Sequence, residues 1–397
     1  MPDFKSHLKV AGAVVTAAVF AWLGYEYIQA SRHLVLYEIS LVFFLLAYFV
    51  IVLRGGWRDV ALVCASLALG LVGIEVVLWR FNNSPTTFRE KGMWGIKGEL
   101  GLSPIRPGLI HEKKVAANGD VIFDVTYTIE NDLSRKVASP RSAPLVAFFG
   151  DSFTYGAGVN DNDTLPQIFA EVTNGAYHVV NLGVSGYGPQ QMLRALETDL
   201  YPVLKENPRL FVILSAPWHA FRTSCKADNA WFGPSYELES GVPVYKGSCA
   251  SRQTTFRQAL TTLLRWTEAY DYFIGRREKP VGPADMDLYV SILARSAEIA
   301  KQKYGVPTLV LYLPDDLANP RYQLGPGVDN AKLMSRLRDN GLYVMDLSVD
   351  LNGYPGHQLI IQGDGHPTGF LNRIWGERLR DFVADNFGAA AKAVGSK

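Results

Sequence analysis

The chain has 397 residues, of which 48% are hydrophobic, 12% aromatic and 19% charged, a composition that excludes a disordered protein. Its 39 Lys and Arg against 38 Asp and Glu leave a formal net charge of +1, so the bulk cationic field used against phosphates is missing and nucleic acid is not an expected partner. Three cysteines are too few for a disulfide scaffold, no CxxC or Cys/His cluster suggests zinc, and no metal or organic cofactor is expected.

Residues 1–80 carry few charges: Lys5, Lys9, Arg32, Arg54, Arg58 and Arg80 against Asp3, Glu26, Glu38, Asp59 and Glu75. Three apolar stretches separate them, Val10 to about Ile28, Leu34 to Leu53 and Val60 to Trp79. Each approaches the ~20 residues a helix needs to cross a bilayer, so three transmembrane helices are predicted and the lipid bilayer is the expected partner. Lys5 and Lys9 precede the first stretch and Arg54 and Arg58 fill the turn before the third, which puts both on the cytoplasmic side of an inner membrane. Everything after Trp79 then lies on the periplasmic or outer side, and this also holds if the first stretch is a cleaved signal peptide. Glu26, Glu38 and Glu75 fall near the outer ends of the spans, with Arg32, His33 and Arg80 as nearby partners, or as a polar cluster facing the outer domain.

Residues 81–144 read as a strap rich in Gly and Pro, structural in role, with substrate contact as the alternative. Asn118-Gly119 between two β-type runs, the second being Val121 to Ile129, predicts a tight hairpin. Beyond the strap the periodicity changes. Apolar runs at Leu145 to Phe149, His178 to Leu182, Leu210 to Leu214, Thr308 to Leu313 and Leu342 to Met345 alternate with helical patterns near 164–173, 188–201, 286–304, 328–340 and 367–387. Strands alternating with helices imply an α/β domain whose parallel sheet is covered on both faces, with its ligand crevice at the carboxyl ends of the strands.

Three motifs sit at such ends. Gly150-Asp151-Ser152 follows the first run, Asn181-Leu182-Gly183-Val184-Ser185-Gly186 the second, and Gly363-Asp364-Gly365-His366-Pro367-Thr368 precedes the last helix. A carboxylate near a histidine can orient the ring and leave its other nitrogen free as a base. In this order the three motifs resemble the SGNH hydrolase superfamily, the GDSL-type lipases and esterases, over roughly residues 145–390. The resemblance implies a flavodoxin-like three-layer α/β/α fold and acyl-ester chemistry. It assigns Ser152 as nucleophile, His366 as base, Asp364 as the acid that orients it, and the backbone N–H groups of Ser152 and Gly186 as oxyanion donors. The N-terminal helices are not part of that family core.

The sequence departs from the family at two points. Where the family carries Gly-x-Asn-Asp after its third strand, this chain reads Ser215-Ala216-Pro217-Trp218-His219, without Asn, and His219 is the candidate replacement donor. The family often spaces Asp and His by three residues, whereas Asp364 and His366 are two apart, which leaves Asp346 as reserve for the orienting role. An insertion at about 221–306 is too long for a simple connection and is expected to shape the substrate site. Within it Cys225 and Cys249 bracket an aromatic hairpin or loop and are the disulfide candidate in an oxidising compartment. The leading expectation is a membrane-anchored serine ester hydrolase acting on an acyl or acetyl ester of a glycan or lipid. The alternatives are a polysaccharide O-acyltransferase using the same serine, with a membrane partner protein supplying its donor, and a catalytically weak glycan-binding or assembly component.

Overall fold

A computed structural model of the chain describes residues 4–29, 34–81, 85–252, 254–256, 261, 264, 267–270, 272–273, 281–314, 329–349 and 353–388. The chain divides into two compact units, one of residues 1–84 with 255–278 and one of residues 85–254 with 279–397. The strap and the α/β core form a single unit, and part of the insertion joins the N-terminal helices.

The first unit contains three helices, α1 (Phe4–Gln29), α2 (Leu34–Val52) and α3 (Gly56–Phe81). One of them, α3, is long and apolar enough to cross a membrane, with a mean hydropathy of 2.4 over its most apolar window. The apolar parts of the other two, Lys9–Gly24 and Leu36–Val52, are shorter. At 1.5 Å per residue such stretches reach about 25 Å, below the ~30 Å of hydrocarbon, so the expectation of three spans is met by one helix. On α3 the buried residues Ala61, Ala65, Ala68 and Glu75 recur at helical spacing, and the three alanines are small enough to let a neighbouring helix approach. Glu75 accepts the backbone N–H groups of Glu268 (2.8 Å) and Ala269 (3.0 Å), which open a short turn of helix, Glu268–Tyr270. The carboxylate thus satisfies helix-terminal donors contributed by the insertion, a role that spacing alone did not suggest. Of the partners expected for the three glutamates, Arg32 and His33 lie outside the described residues.

The second unit begins with five strands, β1 (Thr86–Arg89), β2 (Trp94–Lys97), β3 (Gly101–Pro104), β4 (Gly108–Val115) and β5 (Val121–Ile129). Strands β1, β4 and β5 form an antiparallel sheet, while β2 pairs with β3. The β4–β5 hairpin turns at Asn118-Gly119 as its sequence predicts, with Asn118 Oδ1 accepting from Asp120 N at 3.1 Å. Next come β6 (Leu145–Phe149), β7 (His178–Asn181), β8 (Pro208–Ser215), the hairpin β9 (Pro234–Glu239) and β10 (Val242–Ser248), then β11 (Thr308–Tyr312) and β12 (Tyr343–Asp346). The core sheet runs β12-β11-β8-β6-β7, all parallel. Numbered along the chain this is the order 2-1-3-4-5 of flavodoxin-like folds, with the switch point between β6 and β8.

The continuous apolar runs follow from burial on both sheet faces. Leu145, Ala147 and Phe149 of β6 join one core cluster with the helices Pro189–Glu197, Pro283–Tyr304 and Asn330–Asp339. Val146 and Phe148 join the other, with Leu165–Val172 and Gly369–Phe387. Alternate residues of one strand therefore serve opposite layers. A disulfide joins Cys225 and Cys249, Cα atoms 5.4 Å apart, across the base of the β9–β10 hairpin. Closing this 24-residue separation is worth about 3 kcal/mol in the chain-entropy model. The double variant Cys225→Ala/Cys249→Ala is expected to lose about that much stability in urea unfolding, and reductant should then have no further effect on it. Equal midpoints for the oxidised wild type and the double variant would show that the bond does not stabilise the fold.

Candidate active site

The elbow after β6 is built around a buried charge. Asp151 has no exposed surface, and its Oδ1 accepts the N–H of Phe153 at 2.9 Å, capping the single helical turn Ser152–Tyr155. Its Oδ2 accepts from Arg222 Nη1 (2.8 Å) and His219 Nε2 (3.0 Å). Burial alone would raise the Asp151 carboxyl, but the Arg222 charge and the His219 hydrogen bond outweigh it and keep Asp151 well below the ordinary carboxylate range. Burial, followed by the Arg222 charge, pushes the His219 imidazole down, so at neutral pH the ring is uncharged. Its one hydrogen sits on Nε2, facing Asp151, and Nδ1 accepts from Ser215 Oγ at 3.1 Å. Ser215 in turn meets the Tyr289 hydroxyl at 2.8 Å.

This corrects the expectation for His219. The ring is fully buried and both nitrogens are engaged, so it presents no N–H to a substrate. Its place after β8 is the one where the family carries Asn. The helical turn His219–Thr223, however, directs the side chain under Asp151 instead of outward.

Ser152 Oγ lies 2.7 Å from His366 Nε2, and His366 Nδ1 lies 2.5 Å from Asp364 Oδ2. The two-residue spacing is accommodated by a turn in which Gly363 and Gly365 take φ of +78° and +93°, conformations that only glycine adopts without strain. Ile361 N closes that turn on His366 O at 2.9 Å. Asp346, the reserve candidate, instead accepts from Ser348 N at 2.8 Å as a loop cap at the end of β12. Phe153 packs beside the imidazole with ring centroids 5.3 Å apart.

Asp364 has a second partner that the sequence did not reveal, the Lys114 ammonium on its Oδ1. Burial would raise this carboxyl, but the bond and charge of His366, followed by those of Lys114, hold it at about 2 against an ordinary 3.8. Its contribution to stability is complete above 3.8 and is lost as pH falls through about 2.

Around Ser152 opens a cavity of about 440 Å³. Gly186, at φ +89°, lines it, and its backbone N–H has no acceptor among the described residues. Beside it stands Asn229, whose Nδ2 lies 3.7 Å from where a Cβ on Gly186 would sit. One wall belongs to the strap, through Thr87, Arg89, Glu112, Lys114 and Phe123. Sheet register explains the grouping: Thr87 and Phe123 are both paired with Lys114, and Arg89 is paired with Glu112. The strap, expected to be structural, thus also lines the cavity around Ser152. A signal for it was present, since Glu112 and Lys114 fall on the same face of β4 as buried Ile110, where charges need a reason. Asn229, far from any motif, carried no such signal.

No family model matches the chain, and no curated protein matches it. It is similar to solved structures that include a member of the lipolytic G-D-S-L family from Veillonella parvula, with 15% identity over 61% of this chain and 96% of that one, at a TM-score of 0.34. An acetyl xylan esterase, AlAXEase, has 18% identity over 60% and 99%, at 0.34. A carbohydrate acetylesterase family member from Sinorhizobium meliloti has 16% identity over 62% and 99%, at 0.32. At these TM-scores the likenesses add nothing to what the sheet order and site geometry establish.

Removing Arg222 strands a buried carboxylate, which typically costs 3–5 kcal/mol. Arg222→Met is expected to lose about that amount in denaturant unfolding of the full chain, and a loss below about 1 kcal/mol would show that Arg222 does not balance Asp151.

Proposed function

We propose that this protein is a serine ester hydrolase held in the cytoplasmic membrane by α3, with its α/β unit on the outer side. The reading is carried by one observation, the Ser152 Oγ, His366 Nε2 and His366 Nδ1, Asp364 Oδ2 contacts at 2.7 and 2.5 Å beside an open cavity. Arg54 and Arg58 at the start of α3 support the orientation, because basic residues in short flanks stay on the cytoplasmic side.

His366 Nε2 takes the Ser152 proton as Oγ attacks the ester carbonyl, and Asp364 holds the ring while it carries charge. Lys114 positions Asp364 in turn. The oxyanion is met by the backbone N–H groups of Ser152 and Gly186 and by the side-chain amide of Asn229, which takes the part that the sequence reading gave to His219. Collapse expels the alcohol, protonated by His366, and water repeats the sequence to release the acid. The cavity offers little apolar surface beyond Phe123 and Ala157, which suits a short acyl group such as acetyl over a fatty chain.

A fluorophosphonate is expected to label the wild type, with labelling abolished in Ser152→Ala and strongly slowed in His366→Ala. Folded wild type that neither labels nor hydrolyses 4-nitrophenyl acetate would overturn the reading. Asn229→Ala should lower kcat by about 10²-fold, the usual cost of one oxyanion donor, with little change in KM. An unchanged kcat would remove Asn229 from the oxyanion site.

A further inference from the structure

The donors and acceptors on the cavity wall do not balance. Glu112 is 3% exposed and both its oxygens are engaged, Oε1 by the Tyr127 hydroxyl at 3.2 Å and Oε2 by Arg89 Nε. Asp364 is engaged in the same way, by Lys114 on one oxygen and His366 on the other. The cations are not saturated. Arg89 commits only Nε among the described residues, so both terminal nitrogens keep their N–H groups, and its side chain is 33% exposed. Lys114 commits one of three ammonium hydrogens and is 19% exposed. Arg222, the third cation of the lining, is already matched by Asp151, so the unused donors are those of Arg89 and Lys114.

We propose that the cavity takes an ester whose carrier bears a carboxylate, bound by the free fork of Arg89 with the ammonium of Lys114 beside it. The proposal rests on the esterase reading and adds the class of its substrate. A planar guanidinium with two unused nitrogens matches a carboxylate in bidentate fashion. Its orientation is fixed beforehand, because Nε is tied to Glu112 and the guanidinium carbon lies 4.5 Å over the Trp94 ring. The arrangement thus loses little side-chain freedom on binding. Lys114 bridges the two tasks, since one hydrogen holds Asp364 and the others face the ligand, placing the anion within one side chain of the Ser152–His366 pair.

The test compares two aryl acetates, 4-acetoxybenzoate and its methyl ester, which carry a free and a methylated carboxyl at the same position. Both are offered to the full chain in detergent, and their binding to the non-cleaving Ser152→Ala protein is measured by calorimetry. The carboxylate is expected to bind at least 10-fold more tightly than the methyl ester and to show a kcat/KM at least 10-fold higher, with both ratios shrinking as salt rises. Arg89→Gln should bring the ratios to about one. Arg89→Lys keeps a partner for Glu112 if the first variant folds poorly, and should leave an intermediate ratio. Equal binding of the two esters to Ser152→Ala would overturn the proposal, and it would do so whether or not the wild type hydrolyses either. Failure of the esterase reading would appear separately, as absent turnover and absent fluorophosphonate labelling with the charge preference in binding intact.

Discussion

A single carboxylate with no exposed surface sets the terms for the site. Asp151 caps the turn that carries Ser152 and is held ionised there, and an ionised group so deep needs compensation. Arg222 and His219, both on the turn that follows β8, provide it. The requirement couples two strand ends: the elbow after β6 keeps its shape only if the segment after β8 lies beneath it. It also fixes His219 as a neutral hydrogen donor to Asp151, with Ser215 and Tyr289 extending the chain inward. That segment is committed to the interior, and the side-chain amide that lines the cavity beside Gly186 is Asn229.

The other half of the site belongs to the strap. Its pleat presents Arg89, Glu112 and Lys114 in register toward the elbow, so a small antiparallel sheet completes a cavity that the parallel sheet opens. Arg135, just beyond β5, fastens the two together. Its guanidinium donates to the carbonyls of Tyr155 (2.5 Å), Gly156 (2.6 Å) and Val159 (2.8 Å), and lies 4.4 Å over the Tyr127 ring. These carbonyls belong to the turn Ser152–Tyr155 and the loop leaving it, so the strap braces the same segment that it faces.

What the sequence made legible was what periodicity and motif can carry. All five core strands and the helices between them fall within a few residues of their apolar patterns, because full burial on both faces leaves no polar positions to blur the signal. Ser152, Asp364 and His366 could be read because glycines punctuate the turns around them. Lys114, Arg222 and Asn229 could not. Each acts through a partner far away in the chain, Lys114 with Asp364 and Arg222 with Asp151, and such pairing depends on tertiary register that no local pattern records. The membrane segments erred in the other direction. Apolar character was plain in all three, but counting flanking residues overstated the length of the apolar core in α1 and α2.

The bond between Glu75 and the backbone of residues 268 and 269 has a consequence for the order of synthesis. The acceptor and its donors are separated by 193 residues. At ~5–20 residues per second, the ribosome needs about 10 to 40 s to supply the donors after Glu75 has been made. Through that interval α3 holds a carboxylate whose final partners do not yet exist, while β1 to β10 emerge and can begin to pair. The helical unit is therefore discontinuous in time as well as in sequence. It can be finished only once the intervening strands of the other unit have left the ribosome.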